Sequence, residues 1–250
     1  MATAVAAAAI MLAAGCAGAD ARPPAAAPAA QAPPAGPAPG GHSHRATPGP
    51  RPPGTRLPLA RFSATISAPL SPGDVPFSWH PGCPVPPTEL RAIHLSYVGF
   101  DGTAHTGEII VNASVAEQVI KVFSLLYRAR IPIRRMKPVD DFRGSDPRSM
   151  AADNTSGFNC RRAVAPGPPQ WSMHAYGLAI DVNTVQNPYV EAGSGVHPPA
   201  GAAYVNRSDI RPGMAYPDGI LVSAFRSVGW GWGGYWTGSP DYQHFSVNGR

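Results

Sequence analysis

Hydrophobic and polar positions alternate between two periods along the middle of the chain. Ile109, Ile110 and Val111 form a short apolar run inside "GEIIVN" (Gly107–Asn112), which predicts a strand ending in a turn. Ser114 then stands three residues before Glu117, the spacing of a capping box, and predicts a helix start. Val115, Val119, Val122, Phe123 and Leu126 follow at helical spacing and define one apolar face. Pro132 closes that helix, and "IPIRRM" behind it predicts another strand. From Pro138 to Pro169 the chain is polar and rich in turn formers, which predicts loops. "GILVSAFRSV" (Gly219–Val228) predicts a second helix with Ile220, Leu221, Ala224, Phe225 and Val228 turned inward. Short strands, two helices and long loops together predict an α+β domain, one compact body with a small antiparallel sheet flanked by helices.

One stretch in this pattern carries polar residues that are costly to bury: "WSMHAYGLAIDVN", Trp171–Asn183. After Gly177, Leu178, Ile180 and Val182 alternate with Ala179, Asp181 and Asn183, the period of a strand. Asp181 thus lies opposite the apolar face, next to the small Ala179. On one continuous helix His174 and Asp181 would stand about 10 Å apart along the axis, too far to share an ion. A turn at Gly177 followed by a strand allows the two side chains to converge. For this segment alone a structural His–Asp hydrogen bond is the simpler account.

Composition divides the chain. Of 250 residues, 31 are Pro, 27 are Gly and only 14% are charged. From residue 20 to residue 56 the sequence is almost wholly Ala, Pro and Gly, with nothing large enough to build a core. Such a segment is expected to be a disordered, semi-rigid linker. Ahead of it, residues 1–19 hold a short apolar run ending in small residues and Cys16, too short for a membrane span and suited to an export signal. "AAGC" resembles a lipoprotein signal, which would lipidate Cys16; an ordinary cleaved signal with an incidental cysteine is the alternative. The folded domain is expected over 57–250. Cys83 and Cys160 then remain as one possible disulfide in an oxidising compartment, or as two buried free thiols.

The formal net charge is +5, carried almost entirely by arginine, with Lys121 and Lys137 the two lysines. Basic residues are scattered and lack aromatic interleaving, which argues against nucleic acid as a partner. Arg22, Arg45, Arg51 and Arg56, in or beside the linker, suit a tether lying against an anionic wall polymer or membrane surface.

The C-terminal stretch changes the reading of His174 and Asp181. "GWGWGGYWTGSPDYQHF" supplies Asp241 and His244 in a D-x-x-H spacing among Trp230, Trp232, Trp236 and several glycines. Two histidines and a carboxylate suit zinc with one coordination position open, and a further carboxylate suits a general base. The tryptophans are expected in the core rather than as a sugar-stacking platform. His42 and His44 belong to the tether, and His80, His94, His105 and His197 lack a partner at suggestive spacing. Asn112, Asn154 and Asn206 begin N-x-S patterns that carry no meaning in a bacterial lipoprotein. No G-x-S-x-G elbow is present, so serine catalysis is not expected.

Ser172 to Asp181, read as S-x-H-x-x-G-x-A-x-D, followed by G-W-x-W-G-G and D-x-x-H, resembles the peptidoglycan metallopeptidases that include D-alanyl-D-alanine carboxypeptidases and dipeptidases of the VanY and VanX type. The resemblance spans roughly Trp79 to Phe245. It implies a hedgehog/DD-peptidase-like fold, with His174, Asp181 and His244 holding Zn2+ and Asp241 as catalytic base, where such families often have glutamate. "SGFNCR" resembles the family's arginine segment and nominates Arg161 to steady substrate and oxyanion, with Arg148 and Arg162 as competitors. Ser172 would support the loop. The implied protein is a monomeric carboxypeptidase or endopeptidase acting on peptidoglycan stem peptides, held in the cell envelope by a lipid anchor on the outer face of the membrane, or secreted. The reading from a different class is a catalytically inactive, zinc-structured wall-binding module.

Overall fold

Apolar residues on both faces of two long strands build the largest sheet. In the computed structural model, which describes residues 59–164, 169–193 and 195–250, strands β1 (Ala64–Ile66), β2 (Leu90–Val98) and β3 (Ala104–Asn112) pair antiparallel in that order. The export signal with Cys16 and the linker of residues 20–56 lie outside the described residues, which belong to the body Gly54–Arg250. Ile93 and Leu95 of β2, with Ile109 and Val111 of β3, face one core, while Leu90, Ala92 and Ile110 face a second. Both sides of this sheet are therefore covered.

Helix α1 (Ala116–Arg128) closes the first core through Val119, Val122, Phe123 and Leu126, the stripe predicted from the sequence. Its start differs from the prediction. Asn112, not Ser114, caps the entry, accepting from Ser114 N at 3.0 Å and Ser114 Oγ at 2.7 Å. Ser114 spends its hydroxyl as a donor to Asn112, so no capping box with Glu117 forms. A 3-10 turn fills residues 113–115 before the α-helix begins.

Two further predictions are corrected. "IPIRRM" is extended but makes only isolated bridges, Val98 to Pro132 and Met136 to Thr155, because Pro132 cannot donate to a ladder. The stretch predicted as loops contains a short helix, α2 (Asp146–Ala151), started by the Ser145 side chain and Pro147.

The second sheet holds the site. Strands β4 (Ala179–Asp181), β7 (Gly231–Trp232) and β8 (His244–Ser246) pair antiparallel in the order β4-β8-β7. Between them in sequence come the hairpin β5 (Tyr189–Glu191) and β6 (Gly195–His197), then helix α3 (Ile220–Arg226). Leu221 and Phe225 of α3 join the first core, with Phe225 stacked 4.2 Å from Phe245 and edge-on to Phe123. Ile220, predicted inward, is exposed because it stands first in the helix, just outside the core that Leu221 and Val222 enter. Trp230 and Trp232 are buried in the same core. Among the described residues no helix is long and apolar enough to cross a membrane.

Candidate metal centre

The local folding of Ser172–Asp181 brings His174 inward. Ser172 Oγ accepts from His174 N at 3.3 Å and caps a 3-10 turn over Met173–Tyr176. Gly177 ends that turn at φ 67°, a left-handed conformation that favours glycine. A Cβ there would also lie 2.5 Å from Asn112 N, which donates to Gly177 O at 2.9 Å. The turn is thereby pinned to the end of β3 as β4 begins. Asp181 is held by two main-chain hydrogen bonds with Ser156, and sits opposite His244 in the β4–β8 register. His174, Asp181 and His244 are all buried.

Hydrogen bonds on the far side of each ring decide what the near side offers. His174 Nδ1 lies 2.7 Å from Gly157 O, and His244 Nε2 lies 3.0 Å from Arg250 O. Neither main-chain oxygen has a proton to give, so each of these nitrogens carries the proton. The remaining nitrogens, His174 Nε2 and His244 Nδ1, then present lone pairs to each other at 3.2 Å. Both also face Asp181, His174 Nε2 to Oδ2 at 3.2 Å and His244 Nδ1 to Oδ1 at 3.2 Å. Burial alone would raise the Asp181 pKa; once the facing rings carry a proton, the charge of His174 and hydrogen bonds from the rings outweigh burial and hold the carboxyl well below the usual range. Two lone pairs and a carboxylate, with ligand atoms all within 4.8 Å of one another, repel unless a cation lies among them. That cation is a proton on one ring or a metal ion. A nitrogen, nitrogen, oxygen donor set suits a borderline metal such as zinc.

Asp241 stands beside this set. Its main chain is locked to Gly233, whose oxygen accepts Asp241 N at 3.0 Å; a Cβ on Gly233 would lie 2.7 Å from Asp241 O. Asp241 Oδ1 is sealed from solvent and has no hydrogen-bond partner among the described residues. Burial first, then the charge of Asp181, push its pKa up to about 7, against smaller opposite effects from His244 and Arg161. Such a carboxyl can both take and release a proton near neutral pH.

Arg161 lies within electrostatic reach of Asp241 and pairs with Asp146, Nε to Oδ2 3.0 Å. Arg162 instead lies over the Trp171 ring, 3.7 Å from its centroid, and Arg148 is exposed. Trp236 packs 5.3 Å from the His244 ring. Cys83 and Cys160 are joined by a disulfide, next to Arg161 in the chain. His94, His105 and His197 pair with Glu108, Asp101 and Glu191 away from this cluster. Three parts of the site have no sequence pattern of their own: Asp146, Gly157 O and Arg250 O.

Residues 166–247 match the D-alanyl-D-alanine carboxypeptidase family. The matched segment contains His174, Asp181, Asp241 and His244, and is the family to which the motifs of the sequence point. Arg161 and the disulfide precede it. Comparison with curated proteins and with solved structures gives no match. The family match supports a peptidase acting on peptidoglycan, and the buried group of two histidines and an aspartate is able to hold the metal ion that such a peptidase uses.

Proposed function

We propose that this protein is a zinc-dependent peptidase that hydrolyses the peptide stems of bacterial peptidoglycan, acting as a D-alanyl-D-alanine carboxypeptidase. The observation that carries this reading is the pair of imidazole lone pairs aimed at one carboxylate, beside a buried carboxylate oxygen with no partner. A structural His–Asp pair would need one proton between two groups and would leave no third acceptor facing it.

In this reading His174 Nε2, His244 Nδ1 and Asp181 hold zinc. When bound, zinc polarises the scissile carbonyl and makes a nucleophilic water available near neutral pH. Gly157 O and Arg250 O keep each ring in the tautomer that leaves its metal-facing nitrogen unprotonated. Asp241 takes the proton of the attacking water and passes it to the leaving amine, a task suited to a carboxyl near pH 7. Arg161 supplies fixed positive charge to the oxygen that becomes anionic. Ser172 acts only through the turn that carries His174. The disulfide, in this reading, is made after export, with the protein monomeric and tethered to the envelope through Cys16 or released.

The test is metal content of the full-length protein and of Asp241→Ala, followed by incubation of each with stem peptides ending in D-alanyl-D-alanine and mass analysis of the products. One zinc per chain in both, with D-alanine released by the wild type alone, is the expected result. Zinc in both with no cleavage of any stem would favour the wall-binding module. No zinc in the wild type would refute the metal centre.

A further inference from the structure

The main chain and the side chain of Arg161 are held by different devices. Its main chain is fixed by the neighbouring Cys83–Cys160 disulfide, by Cys160 N donating to Ser78 O at 2.9 Å, and by Ser172 N donating to Arg161 O at 3.1 Å. None of these sets the direction of a long guanidinium side chain. Among the described residues Asp146 is the carboxylate within ion-pair distance of it, at 3.0 Å from Nε. The two side chains are 25% and 22% exposed, so this pair is far better shielded than an open surface pair. The contact is an ion pair at the Nε edge, close in distance although the Nε–H is not aimed at the carboxylate and makes no hydrogen bond among the described residues. Nη1 has only a 3.4 Å contact with Arg162 O, which leaves the Nη edge without a carboxylate. Asp146 is itself anchored in the first turn of α2, behind the Ser145 cap and ahead of Pro147.

We propose that Asp146 is a positioning residue for Arg161: by holding the Nε edge it turns the Nη edge toward an anionic oxygen of the bound peptide. A guanidinium fork recognises such an oxygen well only when its plane is fixed. Without Asp146 the side chain regains its rotamers and is free to fold onto Asp241, whose Oδ1 has no partner. Asp146 therefore acts on the substrate through Arg161, beside a small direct electrostatic effect on Asp241. This inference rests on the peptidase reading above.

A double-mutant cycle on the full-length, zinc-loaded protein tests it, with Asp146→Asn, Arg161→Ala, the double variant and Asp146→Glu. Hydrolysis of a stem peptide gives kcat and KM, and calorimetry with the same peptide gives its affinity. Asp146→Asn is expected to lower kcat/KM about ten-fold, within the range of coupling between contacting residues. Zinc content and melting temperature should be unchanged. The double variant should be no slower than Arg161→Ala alone, and Asp146→Glu should recover part of the loss. Multiplicative effects of the two single changes, an unaffected Asp146→Asn, or a loss tracking melting temperature alone would each overturn the proposal while leaving the peptidase reading intact. If the wild type neither cleaves nor binds the stem, the peptidase reading fails and this proposal with it.

Discussion

Replacing Asp241 by asparagine should make the metal-free protein more stable, and only at high pH. The substitution keeps the shape of the side chain and removes its charge. Burial and the nearby Asp181 push the Asp241 carboxyl from 3.8 up to about 7. Between those values the folded state keeps a proton that the unfolded state has released, so stability falls as pH rises across that window. Above it the ionised carboxylate costs the full difference, about 4 kcal/mol at about 1.4 kcal/mol per pH unit. Asp241 is partly exposed as a residue although its Oδ1 is sealed, so solvent screening reduces this to about 2–4 kcal/mol. With about 2–4 °C per kcal/mol for a domain of this size, Asp241→Asn should melt roughly 4–16 °C higher than wild type at pH 8 in chelator. At pH 4 the two should melt together. Added zinc should abolish or reverse the difference, because a neighbouring cation favours the ionised carboxylate. A variant no more stable than wild type at pH 8, or one stabilised equally at pH 4, would refute the placement of an uncompensated acid beside the metal centre.

His174→Ala, His244→Ala and Asp181→Ala should each lose nearly all bound zinc by elemental analysis, whereas Asp241→Ala should retain it and lose turnover. Opening the disulfide with Cys83→Ser should lower stability by about 4 kcal/mol on the chain-entropy account, since the bond spans 77 residues; denaturant unfolding with and without reductant measures this. Gly177→Ala should cost about 1–2 kcal/mol in backbone strain, and more from the 2.5 Å approach to Asn112 N. Because that turn carries His174, the same variant should bind zinc more weakly in a chelator competition.

The parts of the site that repeat with a period, or that stand in spaced motifs, were legible in the sequence. Alternation around Ile180 located Asp181, and D-x-x-H located Asp241 and His244. The helical stripe of α1 was legible for the same reason. Asn112 as a cap was hidden by Ser114, because both residues cap well and only the turn geometry selects between them. Helix α2 was hidden in a polar stretch, although Ser145 and Pro147 are a helix-start signal when weighed without the surrounding turn formers. Asp146 meets Arg161 through tertiary folding that no spacing encodes. The oxygens of Gly157 and Arg250, which fix the imidazole tautomers, are main-chain atoms and carry no residue-type signal at all.

The pairing of Asp181 directly opposite His244 has a consequence for assembly of the fold. Side chains on a strand alternate faces, so a slip of one residue between β4 and β8 would send Asp181 into the core and put Ile180 where the ion belongs. Both strands span three residues, and backbone pairing over so short a length discriminates poorly between registers. A metal ion held by His174, Asp181 and His244 would accept only one of them. Under the proposed function it would therefore proofread the alignment of two short strands, selecting the register that also turns Phe245 toward Phe225.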